Sequence, residues 1–426
     1  MSTPSTFDTI VIGAGPSGSA ASALLAERGL RVVVLEREKF PRYHIGESLL
    51  PFTSFPLKRL GLFEKMRASA FVKKYSVQFV SPSGKASQPF YFSTRYEPDV
   101  AQTWQVLRSE FDQILMQNSR AKGAEVIEEI TVQELIQEDG RTLGVRARTK
   151  SGETREFRAP MTLDCSGREA FVPTRLNWRI REPKLNKVAV WTYYRGALRD
   201  AGIDAGATTV AYVPEKGWFW YIPQHNEMIS VGVVAEGKYL SRDGVRDPKD
   251  IFNREIEQNQ WIKDHLACGT QVGAHFITSE YSFRSRYCAS DGLLLAGDSF
   301  GFLDPVFSSG VMLALKSGTM AADAIYAAFE AQDFSAERFV EYSRVLREGL
   351  ENMRKLVYAF YDPNFSFRKL TNKYPEMAGP ITDCLSGDVN KDFSKLYAAV
   401  AESAEVPEPL PYGAPLLRSA EASLFQ

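Results

Sequence analysis

The opening residues leave little choice of fold. Phe7 to Ile12 (FDTIVI) is a short apolar, β-branched run that reads as a buried strand. GAGPSG follows. SAASALLAERG then runs small and apolar at helical spacing and stops at Gly29. RVVVLE (Arg31 to Glu36) reads as a second buried strand. The whole is strand, glycine turn, helix, strand, with Gly13, Gly15 and Gly18 at the turn and Glu36 about 20 residues further on. Such glycines let the backbone approach a pyrophosphate, and the helix N-terminus faces the anion. Glu36 stands where an adenosine ribose would find an acceptor. A dinucleotide-binding, Rossmann-like unit is the expectation, against a tight strand-to-helix turn with no ligand.

The middle of the chain has another character. Residues 71–110 and 185–280 alternate aromatic and β-branched residues, as in YSVQFV, KVAVWTYYRG, TTVAYV, GWFWYIP and ISVGVVAEG. That spacing predicts a mostly antiparallel sheet. Leu107 to Ala121 reads as a helix, and Ala124 to Arg148 as strands of the first unit. Residues 309–330 and 335–360 read as long helices, and the stretch from about Val406, with PEPLPYGAP, as a loose tail. The expected division is a discontinuous dinucleotide-binding domain over 5–70, 106–184 and 281–345. It is interrupted by a substrate-domain sheet over 71–105 and 185–280, with a helical C-terminal region and tail over 346–426.

Composition narrows the partners. The 426 residues carry 51 Lys plus Arg against 52 Asp plus Glu, a net charge of -1, which argues against nucleic acid as the main partner. No apolar run approaches the ~20 residues that span a bilayer, so no integral membrane association is expected. Cys165, Cys268, Cys288 and Cys384 form no C-x-x-C pair, and with four histidines there is no metal-type spacing. Scattered cysteines and a polar start without a secretory signal suit the cytoplasm.

Three further segments join the first. Arg108 sits in VLRSEFDQIL, MTLDCSGRE (Met161 to Glu169) ends a strand, and DGLLLAGDSFGFLDP (Asp291 to Pro305) places Asp298 directly after a buried strand. Together with the glycine turn these resemble the class A flavoprotein monooxygenases, whose FAD domain is of the para-hydroxybenzoate hydroxylase type. The resemblance implies an α/β fold with FAD held by Gly13, Gly15, Gly18, Glu36, Arg37, Arg108 and Asp298; taken alone, Asp298 also reads as a helix cap.

Narrower motifs follow. Trp218 to Pro223 reads W-x-W-x-I-P, and Phe302 to Gly310 reads F-x-x-P-x-x-S-x-G. Phe71 to Tyr75 reads F-x-x-K-Y, and PRYHIGESLLP (Pro41 to Pro51) resembles a flavin-clasping loop. Over roughly residues 5 to 345 the set resembles the flavin-dependent halogenases, above all the branch acting on phenols and pyrroles, free or tethered to a carrier protein. The resemblance implies FADH2 delivered by a separate NAD(P)H flavin reductase, and chloride or bromide as co-substrate. It implies hypohalous acid formed from C4a-hydroperoxyflavin and relayed by Lys74 to an electron-rich aromatic substrate. Natural product biosynthesis is the usual setting.

Each motif also has its own physical reading. Ser308, Ser309 and Gly310 open a helix whose first amides lack intrahelical partners, and by resemblance the halide lies at Ser309 and Gly310. Alternation along FVKKYSVQF puts Lys74, Ser76 and Gln78 on one strand face and Tyr75, Val77 and Phe79 on the other. Lys74 can then enter a cleft, with Lys73 the alternative if the register slips and a solvated lysine pair the plain reading. Trp218 and Trp220 share a face, lining a passage by resemblance or forming ordinary aromatic core. One departure stands out. Tryptophan halogenases carry glutamate just before the serine of the last motif, and here that residue is Phe307. An aromatic hydroxylase, a reductase resembling geranylgeranyl reductases and a non-catalytic flavin module are the competing readings.

Overall fold

The computed structural model describes residues 5–182, 184–279 and 282–417. The first unit forms around a parallel sheet in which Thr9–Ile12 lies between Val32–Leu35 and Met161–Asp164. Leu293–Leu295 pairs beyond Met161–Asp164 and Glu125–Ile127 beyond Val32–Leu35. Every residue of these four-residue runs, TIVI, VVVL and MTLD, is buried, as strands covered on both faces require. Antiparallel Ala289–Ser290 closes one edge.

The helix Pro16–Glu27 packs against the long helix Gly310–Glu330 and against Arg108–Ala121. Close approach is built into the sequence: a Cβ at Gly318 would overlap the Ser17 carbonyl. Ile130–Glu138, Arg141–Thr149 and Thr154–Arg158 do not enlarge this sheet. They fold back as a separate antiparallel meander joined by Ser5–Thr6.

The aromatic segments form a seven-stranded sheet. Its order is Thr270–Ser279, Lys187–Arg195, Met228–Glu236, Trp218–Pro223, Thr208–Tyr212, Ser76–Val80 and Phe90–Tyr91, antiparallel except for the Thr208–Tyr212/Ser76–Val80 pair. Alternation separates its faces. Phe219, Tyr221, Val231 and Val233 pack outward against the helices Pro248–Ile256 and Gln260–Leu266. Ala189, Trp191, Val210, Trp218, Trp220 and Ile222 join the main core on the opposite face.

Two sequence expectations need correction. FVKKYSVQF is not one strand. Val72–Lys74 leaves the large sheet and pairs with Thr103–Gln105 in a two-stranded ribbon, and the chain resumes at Ser76. Face alternation therefore cannot be carried across Tyr75, although Lys74 is buried and Lys73 exposed. The tail is not loose either. Gly413 N–H donates to Arg286 O (2.7 Å), Cys288 N–H to Ala414 O (3.2 Å) and Leu416 N–H to Ala289 O (2.8 Å). The end of the tail, 418–426, lies outside the described residues.

The helix Val340–Tyr361 ties the C-terminal region down. Its Arg354 forms a buried ion pair with Glu182 (2.9 Å) and meets Glu351, which also pairs with Arg284. Among the described residues no helix is long and apolar enough to cross a membrane, and no cluster of ligating side chains could hold a metal.

Candidate active site

The inner face of the aromatic sheet and the C-terminal ends of the parallel strands enclose a cavity of 590 Å³. Gly13, Gly15, Glu36, Arg37, Arg108, Asp298, Trp218, Trp220 and Gly310 all line it. Residues from distant parts of the sequence therefore meet in one space.

The glycine turn divides its labour. Gly13 adopts φ 93°, and a Cβ there would lie 2.6 Å from Cys165 O. A Cβ at Gly18 would overlap the carbonyl of Gly13, so Gly18 fixes the helix against the turn. Gly15 is different: its nearest chain atom would be Arg42 Nη2 at 3.7 Å, and the space it leaves belongs to the cavity. Glu36 accepts the Ala14 and Glu38 N–H groups (2.8 and 2.9 Å), which holds the carboxylate beside the turn with lone pairs to spare. These features fit a dinucleotide: room at Gly15, unpaired amides at the start of the helix and an anchored acceptor at Glu36.

Arg108 is buried in an ion pair with Asp112 (2.7 Å), and its Nη1 donates to the carbonyls of Ile45 and Gly46 (2.8 and 3.1 Å). It thus holds the loop 43–48 over the cavity. Asp298 caps no helix with its side chain. Burial pushes its carboxyl up to about 6, against the pull of Arg168 and Arg108. Arg37 is half exposed and pairs with Glu169 at the cavity edge.

Several residues join the site that the sequence motifs include without assigning them a role: Arg42 and Glu47 in the 41–51 loop, Arg168 in MTLDCSGRE and Trp191 in KVAVWTYYRG. Arg42 lies against Glu36 (3.9 Å), and Arg168 and Glu47 also line the cavity. Trp191 stands beside Trp220 with ring centroids 6.3 Å apart, and Trp218 is 6.2 Å from Trp220 on the other side. Tyr43 and Glu47 grip Tyr193 from the loop: Tyr43 and Tyr193 hydroxyls lie 3.0 Å apart, and Tyr193 donates to Glu47 (2.8 Å). The only available signal for Trp191 was its place two residues before Tyr193 in an alternating strand.

Lys74 is the most unusual group. It is 1% exposed, and its Nζ donates to Ser48 Oγ (2.9 Å) and Leu49 O (3.1 Å), with the Phe92 ring centroid at 5.5 Å. No carboxylate pairs with it among the described residues, and burial pushes its ammonium down to about 7. It stands behind the cavity wall, which Ser48 lines and Lys74 does not. In the F-x-x-P-x-x-S-x-G segment, Ser308 (φ 55°) and Gly310 line the cavity, whereas Ser309, 2% exposed, lies outside the lining. Phe307 points into an aromatic cluster with Phe360 and Phe367.

Trp218, in the cavity lining, has a dedicated support. Its Nε1 donates to the Tyr361 hydroxyl (2.8 Å), which donates to Asp304 Oδ2 (2.9 Å), a carboxyl that burial raises to about 6. Tyr361→Phe removes the link and leaves both partners short of a bond. The expected loss is about 1–3 kcal/mol in denaturant unfolding.

Comparison with known proteins agrees with this geometry. The family profile described as tryptophan halogenase matches residues 8–94 and 83–369. The 1H-pyrrole-2-carbonyl-[peptidyl-carrier protein] chlorinase of Pseudomonas fluorescens is 29% identical over 405 residues, covering 90% of this chain and 89% of that protein. The tryptophan 2-halogenase of Chondromyces crocatus is 31% identical over 368 residues, covering 85% and 69%. The structure of the flavin-dependent brominase Bmp2 superposes with a TM-score of 0.84 at 27% identity, covering 93% of this chain and 98% of that one. The chain belongs to the tryptophan halogenase family of flavin-dependent halogenases. It is an FAD-dependent oxidoreductase of the halogenase class, and the hydroxylase and isoprenoid-reductase readings give way.

Proposed function

We propose that this halogenase acts on an electron-rich aromatic substrate, phenolic or pyrrolic, with Lys74 relaying hypohalous acid. The observation that carries the reading is Lys74 itself: a buried lysine with no carboxylate partner among the described residues, held on Ser48 at the cavity wall. Retaining such a group costs stability, so its presence asks for a use. Phe307 supports the substrate class by what it lacks: where tryptophan halogenases carry a glutamate, this chain has a buried ring packed on Phe360 and Phe367.

FAD would be held by Gly13, Gly15, Gly18, Glu36, Arg37, Arg108 and Asp298, with Arg42 and Arg168 added. Reduced FAD, when bound, supplies the electrons that activate oxygen toward halide. The halide takes its place at the start of the helix Gly310–Glu330, against the backbone at Ser309 and Gly310. Trp218 and Trp220, with Trp191, keep the aromatic substrate away from the flavin. Lys74 has an ammonium near neutrality, so it can hold hypohalous acid by an N–H bond and lend it a proton.

A separate reductase supplies the reduced flavin, because the described fold has one dinucleotide turn. The relative that acts on a carrier-bound pyrrole makes a carrier-tethered substrate the second form to test. Cys165, Cys268, Cys288 and Cys384 are free thiols, in keeping with a cytoplasmic setting.

The test is a mass-spectrometric screen of small phenols, pyrroles and pyrrolyl-carrier conjugates with a flavin reductase, NADH, FAD, oxygen and bromide. A bromine isotope doublet, absent from Lys74→Ala at equal FAD occupancy, is the expected result. Products heavier by one oxygen, or a doublet that survives Lys74→Ala, would overturn the reading.

A further inference from the structure

Lys74 does not reach the cavity on its own, and the structure shows what lies between. Ser48 Oγ accepts the Lys74 ammonium (2.9 Å) and sits 2.7 Å from Thr208 Oγ1. Thr208 Oγ1 accepts Gln105 Nε2 (2.9 Å), a group fixed as donor because it also donates to Gly206 O (3.0 Å). Ser48 and Thr208 both line the cavity, and neither Lys74 nor Gln105 does.

Donor counting then has a consequence. With Lys74 protonated, two hydroxyls stand between two groups that can only donate, Lys74 Nζ and Gln105 Nε2. They own two hydrogens. One closes the bond between them, and the other has no acceptor among the described residues. The spare hydrogen is therefore offered to whatever occupies the cavity.

We propose that the Ser48–Thr208 hydroxyl pair is the relay through which Lys74 acts, and that Thr208 is the group meeting the halogenating agent. The inference rests on the Lys74 reading above. In the step, Lys74 gives a proton to Ser48 as Ser48 passes its own to Thr208. Thr208 passes its proton to the oxygen of hypohalous acid. The carbon–halogen bond forms as the halogen–oxygen bond breaks, and water leaves. The ring then loses its proton along the same path, restoring Lys74. Hypohalous acid plus arene gives haloarene plus water, with no further oxidant. The pair comes from two separate elements, the loop 43–48 and the strand Thr208–Tyr212, so the relay forms only when the loop is seated on the sheet.

The experiment compares Thr208→Val, Thr208→Ser, Ser48→Ala and Lys74→Ala in the full-length, FAD-loaded enzyme. FAD affinity and circular dichroism are read alongside bromination. Hypobromous acid escaping to solvent is trapped with a cyclic β-diketone. Loss of a positioned acid typically costs 10²–10⁴-fold, and Thr208→Val is expected to lose ~100-fold in aromatic bromination. Trapped hypobromous acid should be undiminished and FAD affinity unchanged. Thr208→Ser, which keeps the hydroxyl, should recover the parent rate. Ser48→Ala removes a bond to the charged amine, so the fall in activity with rising pH should begin at lower pH.

If Thr208→Val and Ser48→Ala brominate like the parent while Lys74→Ala is dead, the relay is overturned and the Lys74 reading stands. If Thr208→Ser is as poor as Thr208→Val, the role is packing and the relay is overturned. If Lys74→Ala itself brominates normally, both readings fall.

Discussion

Lys74→Met is expected to yield a protein that binds FAD, halogenates nothing and unfolds at a higher temperature than the parent at pH 7. The signs follow from burial. An unfolded lysine keeps its ordinary value near 10.5, and burial brings Lys74 down to about 7. Between those values the unfolded chain binds more protons, so stability rises with pH across that window. The penalty is complete at and below about pH 7 and is relieved toward pH 10.5. At about 1.4 kcal/mol per unit it amounts to roughly 3–5 kcal/mol. Methionine fills similar volume without charge, so the gain should be largest at pH 6–7 and shrink toward pH 10. Thermal melts across that range, beside a bromination assay, check both halves. A Lys74→Met protein less stable than the parent at pH 7 would mean the lysine is not buried as a cation.

The second large effect separates the glycines. Gly18→Ala is expected to damage the protein with or without FAD, because the new Cβ overlaps Gly13 O and presses Cys165 Cβ at 3.2 Å. Overpacking of this kind costs about 1–3 kcal/mol, more where backbone must move. Gly15→Val should leave the ligand-free protein folded, since the nearest obstacle to a Cβ is the flexible end of Arg42. It should weaken FAD binding by at least tenfold, because the added atoms occupy space the cofactor needs. Melting temperature without FAD, and FAD titration followed by fluorescence, distinguish the two. Equal losses of ligand-free stability would place Gly15 in the fold rather than in the site.

What could be read from the sequence was what short-range rules decide. The glycine turn, its flanking strands and Glu36 lie within one stretch, and local sterics set their geometry. The opposed faces of Trp218 and Phe219 followed from alternation. The break at Tyr75 could not be read, because Lys73, Tyr75 and Ser76 carry no turn signal. It arises from competition between two partners, Thr103–Gln105 and Thr208–Tyr212. Alternation aims Lys74 into a cleft, whereas it lies buried behind the cavity wall in an environment made by Ser48, Leu49 and Phe92, which no local pattern connects to it. Trp191 belongs to the same kind, and Arg42, Glu47 and Arg168 lie in segments the motifs pick out, but which of their side chains face the cavity is decided by chain crossings.

The returning tail carries a different consequence. Residues 413–416 run along the outer side of Ala289–Ser290, the edge of the parallel sheet. An open edge is a template for pairing with another chain. By occupying it, a proline-rich segment with no chemistry of its own guards the protein against self-association. Shortening the chain before Gly413 would therefore show itself first in light scattering.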